Sequence, residues 1–251
     1  MKRLAALTVL LVLAGCSTVE SKDIRTSGIT ADLTVTLPDT GDAIDASATL
    51  RVGSLTFIEL GNDEKLTASG GGKSAELKRH RAAGVTQYSA QLDGVLDPGT
   101  EITLGLQRGG DNASAPKSTV KLPERVRLTA PAAGTTYSRR RAIPIRFDSL
   151  PSERGTVVIW SGPCIESGSI GFEAGRVSGT IPAGSLTATA AKTTTTATTS
   201  TTATPGPGKA ATTCLVDLTL VRRTEGTLDP AFKDGRVIAE SRSVRQISSV
   251  P

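Results

Sequence analysis

Aromatic side chains are scarce in this chain, with one Trp, two Tyr and four Phe in 251 residues. Platforms that stack sugar rings are therefore poorly supplied, which weighs against a carbohydrate-binding module. Histidine is scarcer still, because His80 is the only one. A zinc site of His and Cys ligands is excluded by that count. His80 also lies among cations, in Lys78-Arg79-His80-Arg81, where neither proton acceptance nor metal binding is favoured, so a solvated strand face is expected. No apolar run has transmembrane length; Leu4 to Leu13 falls short of the roughly 20 residues a bilayer requires. A large excess of one charge is also missing. The formal charge of +5 includes Lys2 and Arg3, and without those two it is +3, too little to argue for nucleic acid as a partner.

The first residues are informative. Lys2 and Arg3 precede an apolar run, Leu4 to Leu13, broken only by Thr8, which has the size of a signal-peptide core. Leu13-Ala14-Gly15-Cys16 follows, and it resembles the lipobox of bacterial lipoproteins at all four positions. The resemblance implies a diacylglyceryl group on the Cys16 sulfur, cleavage before Cys16 and acylation of the new amino group. Each buried methylene of such chains contributes about 0.8 kcal/mol, and two or three chains anchor stably. In Gram-negative lipoproteins an Asp after the cysteine retains the protein in the inner membrane, so by resemblance Ser17 points to the outer membrane. Ala14-Gly15 also suits a general signal peptidase, which would leave Cys16 incidental. The expected layout is a cleaved signal at 1–15 and a lipidated N-terminus and spacer at 16–27, small, polar and mixed in charge. The cell envelope is the expected location, and no cofactor is expected beyond the lipid on Cys16.

With Cys16 assigned to lipid, Cys164 and Cys214 remain as a pair in an oxidising compartment. A disulfide between them would close a loop of roughly 50 residues, worth about 4 kcal/mol in the chain-entropy model. The alternative is two free thiols in a chain kept reduced.

Past the spacer, apolar residues alternate. Ile29, Ala31, Leu33, Val35 and Leu37 form one period-2 run, and Ile44, Ala46, Ala48, Leu50 and Val52 another, with a turn at 38–42 between them. Shorter runs lie at Leu55–Leu60, Leu66–Ala68 and Ala75–Leu77. Alternation returns at Tyr88-Ser-Ala-Gln-Leu92, at Ile102, Leu104 and Leu106, and at Val120 and Leu122. No window shows capped helical spacing. Many short strands separated by turns indicate a sandwich or barrel. The stretch from Tyr88 to Ile102, through Leu96-Asp-Pro-Gly-Thr100, resembles the late strands of a fibronectin type III domain, although that family usually places a second tyrosine where Ile102 stands. Arg127-Leu-Thr-Ala-Pro-Ala-Ala-Gly134 is similar to the first strand of bacterial immunoglobulin-like modules. Further strands are expected at Ile143–Phe147, Val157–Trp160, Val177–Ile181, Leu215–Val221 and Val237–Ile247. The expected fold is all-β, with two tandem immunoglobulin-like β-sandwich domains at 28–124 and 125–251.

Between Thr187 and Thr213, 13 of 27 residues are threonine, and no large apolar residue is present to bury. Such a tract cannot recover its ordering entropy by packing, so 187–213 is expected to be a flexible loop.

Several motifs suggest catalysis and fail on spacing. Gly70-Gly71-Gly72-Lys73-Ser74 lacks the earlier glycine of a phosphate loop, since Thr67 occupies that place. Ser118-Thr-Val-Lys121 has a serine–lysine spacing used on helices, but it lies in an alternating strand. Gly168-Ser169-Ile170-Gly171 has Ser167 where a nucleophile elbow needs glycine. Asp39, Asp42 and Asp45 flank one turn but lack EF-hand spacing. Arg139-Arg140-Arg141 has the charge to meet lipid A phosphates or an acidic partner; exposed loop charge is the simpler expectation.

The functional expectation is a non-enzymatic, membrane-anchored binding, scaffolding or accessory module, with another envelope protein or surface ligand as partner and no nucleic acid. The competing classes are a hydrolase whose carboxylates converge only in space and a surface adhesin.

Overall fold

The computed structural model describes residues 17–94, 97–110, 112–149, 155–189 and 213–251. Among them the chain is all-β apart from two short 3-10 turns, and it builds two immunoglobulin-like sandwiches. The strands are β1 (Ser17–Glu20), β2 (Thr30–Pro38), β3 (Ile44–Val52), β4 (Thr56–Glu59), β5 (Lys65–Gly70), β6 (Lys73–Glu76), β7 (Lys78–Ala82), β8 (Val85–Leu92), β9 (Glu101–Gln107) and β10 (Ala115–Lys121). They continue as β11 (Val126–Ala130), β12 (Thr136–Ser138), β13 (Ile143–Ser149), β14 (Thr156–Gly162), β15 (Ile165–Phe172), β16 (Ser178–Ile181), β17 (Cys214–Glu225) and β18 (Asp234–Val250).

The period-2 pattern sets the first core. Along β2 and β3 every second residue is buried, and Ala31, Leu33, Val35, Leu37, Ile44, Ala46, Ala48 and Leu50 form one inner face. The sheet β10-β9-β5-β6 packs against it with Leu66, Ala68, Ile102, Leu104 and Leu106. The second core lies between β11-β13-β16 and the inner residues of β14, β17 and the end of β18.

The two sandwiches are not joined as beads on a linker. One 11-stranded sheet runs β1-β4-β3-β2-β18-β17-β14-β15 and passes through both. The first half of β18 pairs in parallel with β2, from Asp234↔Thr30 to Arg242↔Pro38. Its far end pairs with the start of β17, at Cys214↔Ser249. At about 3.3 Å per residue, the 17 residues of β18 extend roughly 50 Å. Phe232, Val237 and Ala239 therefore belong to the first core and Ile247 to the second. A division at 124/125 separates the opening strands of the two sandwiches but not their cores, because the last hairpin serves both.

Where β18 crosses between cores, its inward positions become serine. Ser241 and Ser243 are fully buried, and their hydroxyls accept the backbone N–H groups of Val126 and Leu128, each at 2.9 Å. The opening strand of the second sandwich is thus attached to the shared strand by side-chain acceptors. Thr224 donates to the Lys121 carbonyl at 2.6 Å and Arg125 to the Pro38 carbonyl at 2.8 Å. Glu240, buried beside them, is held by Arg223 and Arg242.

Candidate functional site

Strand direction assigns the two ends of the molecule. Ser17 pairs with Thr56, directly after the β3–β4 turn, and the first residues of β2 and β18 lie at the same end. The chain therefore enters the folded body at one pole. Cys16 itself lies outside the described residues, so its expected role has no structural counterpart there. The opposite pole holds the start of β17 and the end of β18.

The expected spacer over 16–27 needs correction, because residues 17–28 are built into the first sandwich. β1 joins the sheet through β4, and two 3-10 turns at 21–23 and 26–28 follow. The cause is Arg108 at the end of β9, whose side chain is 0% exposed. Its guanidinium donates to Glu64 at 2.7 Å, to the carbonyls of Ser21 and Ile24, and to the Thr26 hydroxyl at 3.1 Å. Ser21 also donates to Glu64, and the Gly61 N–H reaches Glu64 at 2.9 Å. A buried arginine needs its donors satisfied, and Ser21, Ile24 and Thr26 supply two carbonyls and a hydroxyl for that purpose. Burial pushes the Glu64 carboxyl up, but the Ser21 hydroxyl, the Gly61 N–H and Arg108 outweigh it and hold it below the ordinary carboxylate range.

Beside β1 a recess of about 430 Å³ opens between Glu20, Lys22, Glu59, Asn62 and Arg79. Glu20 and Glu59 are partners across β1 and β4. Each carboxylate meets a cation: Lys22 at 2.6 Å for Glu20, and both Arg79 and Arg81 for Glu59. The described residues that line this recess are charged, polar or aliphatic. Beneath it Tyr88 is buried; its hydroxyl accepts the Leu60 N–H at 2.8 Å and donates to the Ile58 carbonyl at 3.2 Å. Burial raises the Tyr88 pKa, consistent with a neutral phenol that ties β8 to β4.

The other singled-out residues fall apart in space. His80 sits on β7, whose five residues are all exposed. Gly70 to Lys73 make the β5–β6 hairpin, with Gly71 and Gly72 at positive φ, where a side chain would be strained. Ser118 is buried in β10 and accepts the Asp229 N–H at 3.1 Å, while Lys121 is exposed at the end of the same strand. Gly168 lies in β15, and a Cβ there would come within 2.4 Å of the Trp160 ring. Asp39 bonds Ser243 and lies 3.6 Å from Arg245, whereas Asp45 accepts from Gln91. Among the described residues no group of three His, Cys, Asp or Glu is placed to hold a metal. Arg139 donates to Ser249 at 3.1 Å, fastening the β12 turn to β18.

Cys164 and Cys214 form a disulfide, with Cα atoms 5.9 Å apart. It joins the β14–β15 turn to the start of β17, at the pole opposite Ser17. The first residues of the Thr-rich tract run along β15: Ala188 bridges Ile165, and Thr187 accepts the Glu166 N–H at 2.8 Å. Residues 190–212, the bulk of the expected loop, lie outside the described residues.

A second surface was not expected. On the outward face of the shared sheet, Val157, Ile159 and Val221 line a shallow apolar depression of about 280 Å³, with Val244 half exposed nearby. Its signal was present in β14, where the apolar run Val157 to Trp160 exceeds what one inner face requires.

No family model and no curated protein matches the chain. Among solved structures, fibronectin(III)-like modules of Clostridium thermocellum CbhA align at 12% identity and a TM-score of 0.25, over 88% of this chain and 93% of that one. A two-domain fibronectin type III segment of chicken tenascin aligns at 14% identity and 0.24, over 85% and 96%. The IG1 and IG2 domains of DIP-gamma align at 6% identity and 0.23, over 88% and 97%. At such scores the sandwich architecture of this chain rests on its own strand pairing.

Proposed function

We propose that this protein is an envelope lipoprotein in which Cys16 carries the lipid and the two sandwiches form a stiff post that presents its disulfide-closed end to a partner. One observation carries the reading: β18 belongs to both sandwiches, so bending between them would break a continuous hydrogen-bonded ladder rather than flex a linker. The lipobox at 13–16 and the entry of the chain at the pole opposite the disulfide support the orientation. A post of roughly 50 Å would hold a binding or scaffolding surface well clear of the headgroups. Its partner is another envelope protein or a surface ligand, and its place is the outer membrane, as Ser17 suggests.

The test is Cys16→Ala followed by membrane fractionation and cross-linking in the envelope. The protein is expected to leave the membrane fraction completely. Retention of the variant in the membrane would sink the reading.

A further inference from the structure

We infer that the pole where the chain enters the body beds onto an anionic bilayer surface through two hairpin tips, a reading that rests on the lipid anchor proposed above. Cleavage before Cys16 would leave that residue alone between the lipid and Ser17, and Ser17 is already paired in the sheet. No slack remains to lift the body off its membrane. The register sets Ser17 opposite Thr56, so the chain leaves the sheet alongside Leu55, the last residue of the β3–β4 turn.

Leu55 is 57% exposed, an unusual position for a large apolar side chain at a turn. Strand β8 is antiparallel to β3, and so the β7–β8 hairpin points the same way. Its tip is Ala82-Ala83-Gly84-Val85, entirely exposed and without a polar side chain. Behind that tip Arg79 and Arg81, each about half exposed, share the single carboxylate Glu59, which leaves positive charge unneutralised. Apolar tips backed by arginine at the point of lipid attachment match the layering of an interface, where apolar groups enter the acyl boundary and cations meet headgroup phosphates. The apolar depression on the second sandwich also borders an arginine, Arg223, but that one is paired with Glu240 and the depression lies away from the point of lipid attachment.

The experiment uses the full lipidated chain in vesicles of phosphatidylethanolamine with phosphatidylglycerol. An environment-sensitive fluorophore is placed on Leu55→Cys, on Val85→Cys and, as a control on the second sandwich, on Val244→Cys. All three side chains are at least 38% exposed, so no core is disturbed. Labels at 55 and 85 are expected to shift to the blue and lose most of their quenching by an aqueous quencher, while the label at 244 stays fully quenched. Replacing phosphatidylglycerol with phosphatidylcholine should restore part of the quenching. Equal quenching at all three sites overturns the bedded arrangement and leaves the anchor standing, and shielding at one tip alone overturns it in this form. Failure of the wild-type chain to float with vesicles overturns the anchor, and the arrangement with it.

Discussion

The two sandwiches solve one stability problem with different means. Among the described residues the first buries a cluster of 24 apolar side chains, nearly all aliphatic, and adds a buried Arg108–Glu64 pair that draws in the N-terminal segment. The second buries a cluster of 17, relies on Phe147, Phe172 and Trp160, and is closed by Cys164–Cys214. Phe147 and Phe172 meet edge to face at 5.8 Å, an aromatic pair without a counterpart among the described residues of the first core. A smaller core supplies less burial to offset chain entropy, and a covalent cross-link lowers the entropy to be offset. The difference teaches that the smaller core is supplemented by an aromatic pair and a cross-link, whereas the larger one relies on aliphatic burial and a buried ion pair. It also shows why β18 matters: the smaller sandwich shares its longest strand with the larger one.

That sharing is open to direct attack. The largest expected effect follows Arg108→Met, which leaves the Glu64 carboxylate buried without its cation and should cost about 3–5 kcal/mol. Trp160, the only tryptophan, reports on the second sandwich from a distance. In urea, Trp160 fluorescence and far-ultraviolet circular dichroism are expected to shift together to lower denaturant. A fluorescence transition that stays in place would mean that the sandwiches unfold independently, in spite of the shared strand.

A similar loss should follow joint replacement of Cys164 and Cys214 by Ser. Opening a 50-residue loop removes about 4 kcal/mol in the chain-entropy model. Hydrogen exchange should then rise first in β14, β15 and the start of β17, with β2 and β3 the last to respond.

The smallest effect depends on pH. Because the folded-state pKa of Glu64 lies below its unfolded value of 4.5, the native state binds this proton less readily than the unfolded chain. Its contribution is therefore complete above that value and is lost as pH falls through the lower, folded value. The difference in urea midpoint between wild type and Glu64→Gln should be constant near neutrality and shrink below about pH 4.5. A difference independent of pH would remove Glu64 from the account of how residues 17–28 are held.

Much of the fold was legible in the residues. Alternation over 29–37 and 44–52 placed β2 and β3 to within a residue, since each face has one environment along its full length. The Cys164–Cys214 pairing followed from counting once Cys16 was set aside. The full length of β18 was hidden because its ends, Asp234-Gly235-Arg236 and Ser248-Ser249, carry no apolar alternation, so the strand read as 237–247 rather than its 17 residues. The segment after Ser17 misled for a related reason. Small polar residues signal a spacer when nothing needs their carbonyls, and no local pattern discloses that Arg108, more than 80 positions away, requires them.

By itself, then, the sequence determined the all-β class, the inner faces of the strands and the pairing of Cys164 with Cys214, since each depends on residue type, count and short-range periodicity. Only the tertiary structure decided that the two cores share one strand, that the N-terminal segment is packed rather than free, and that the chain's entry point and its disulfide lie at opposite ends. Those features depend on which distant strands exchange hydrogen bonds and which buried donors must be met, and neither is recorded in any local stretch of the chain.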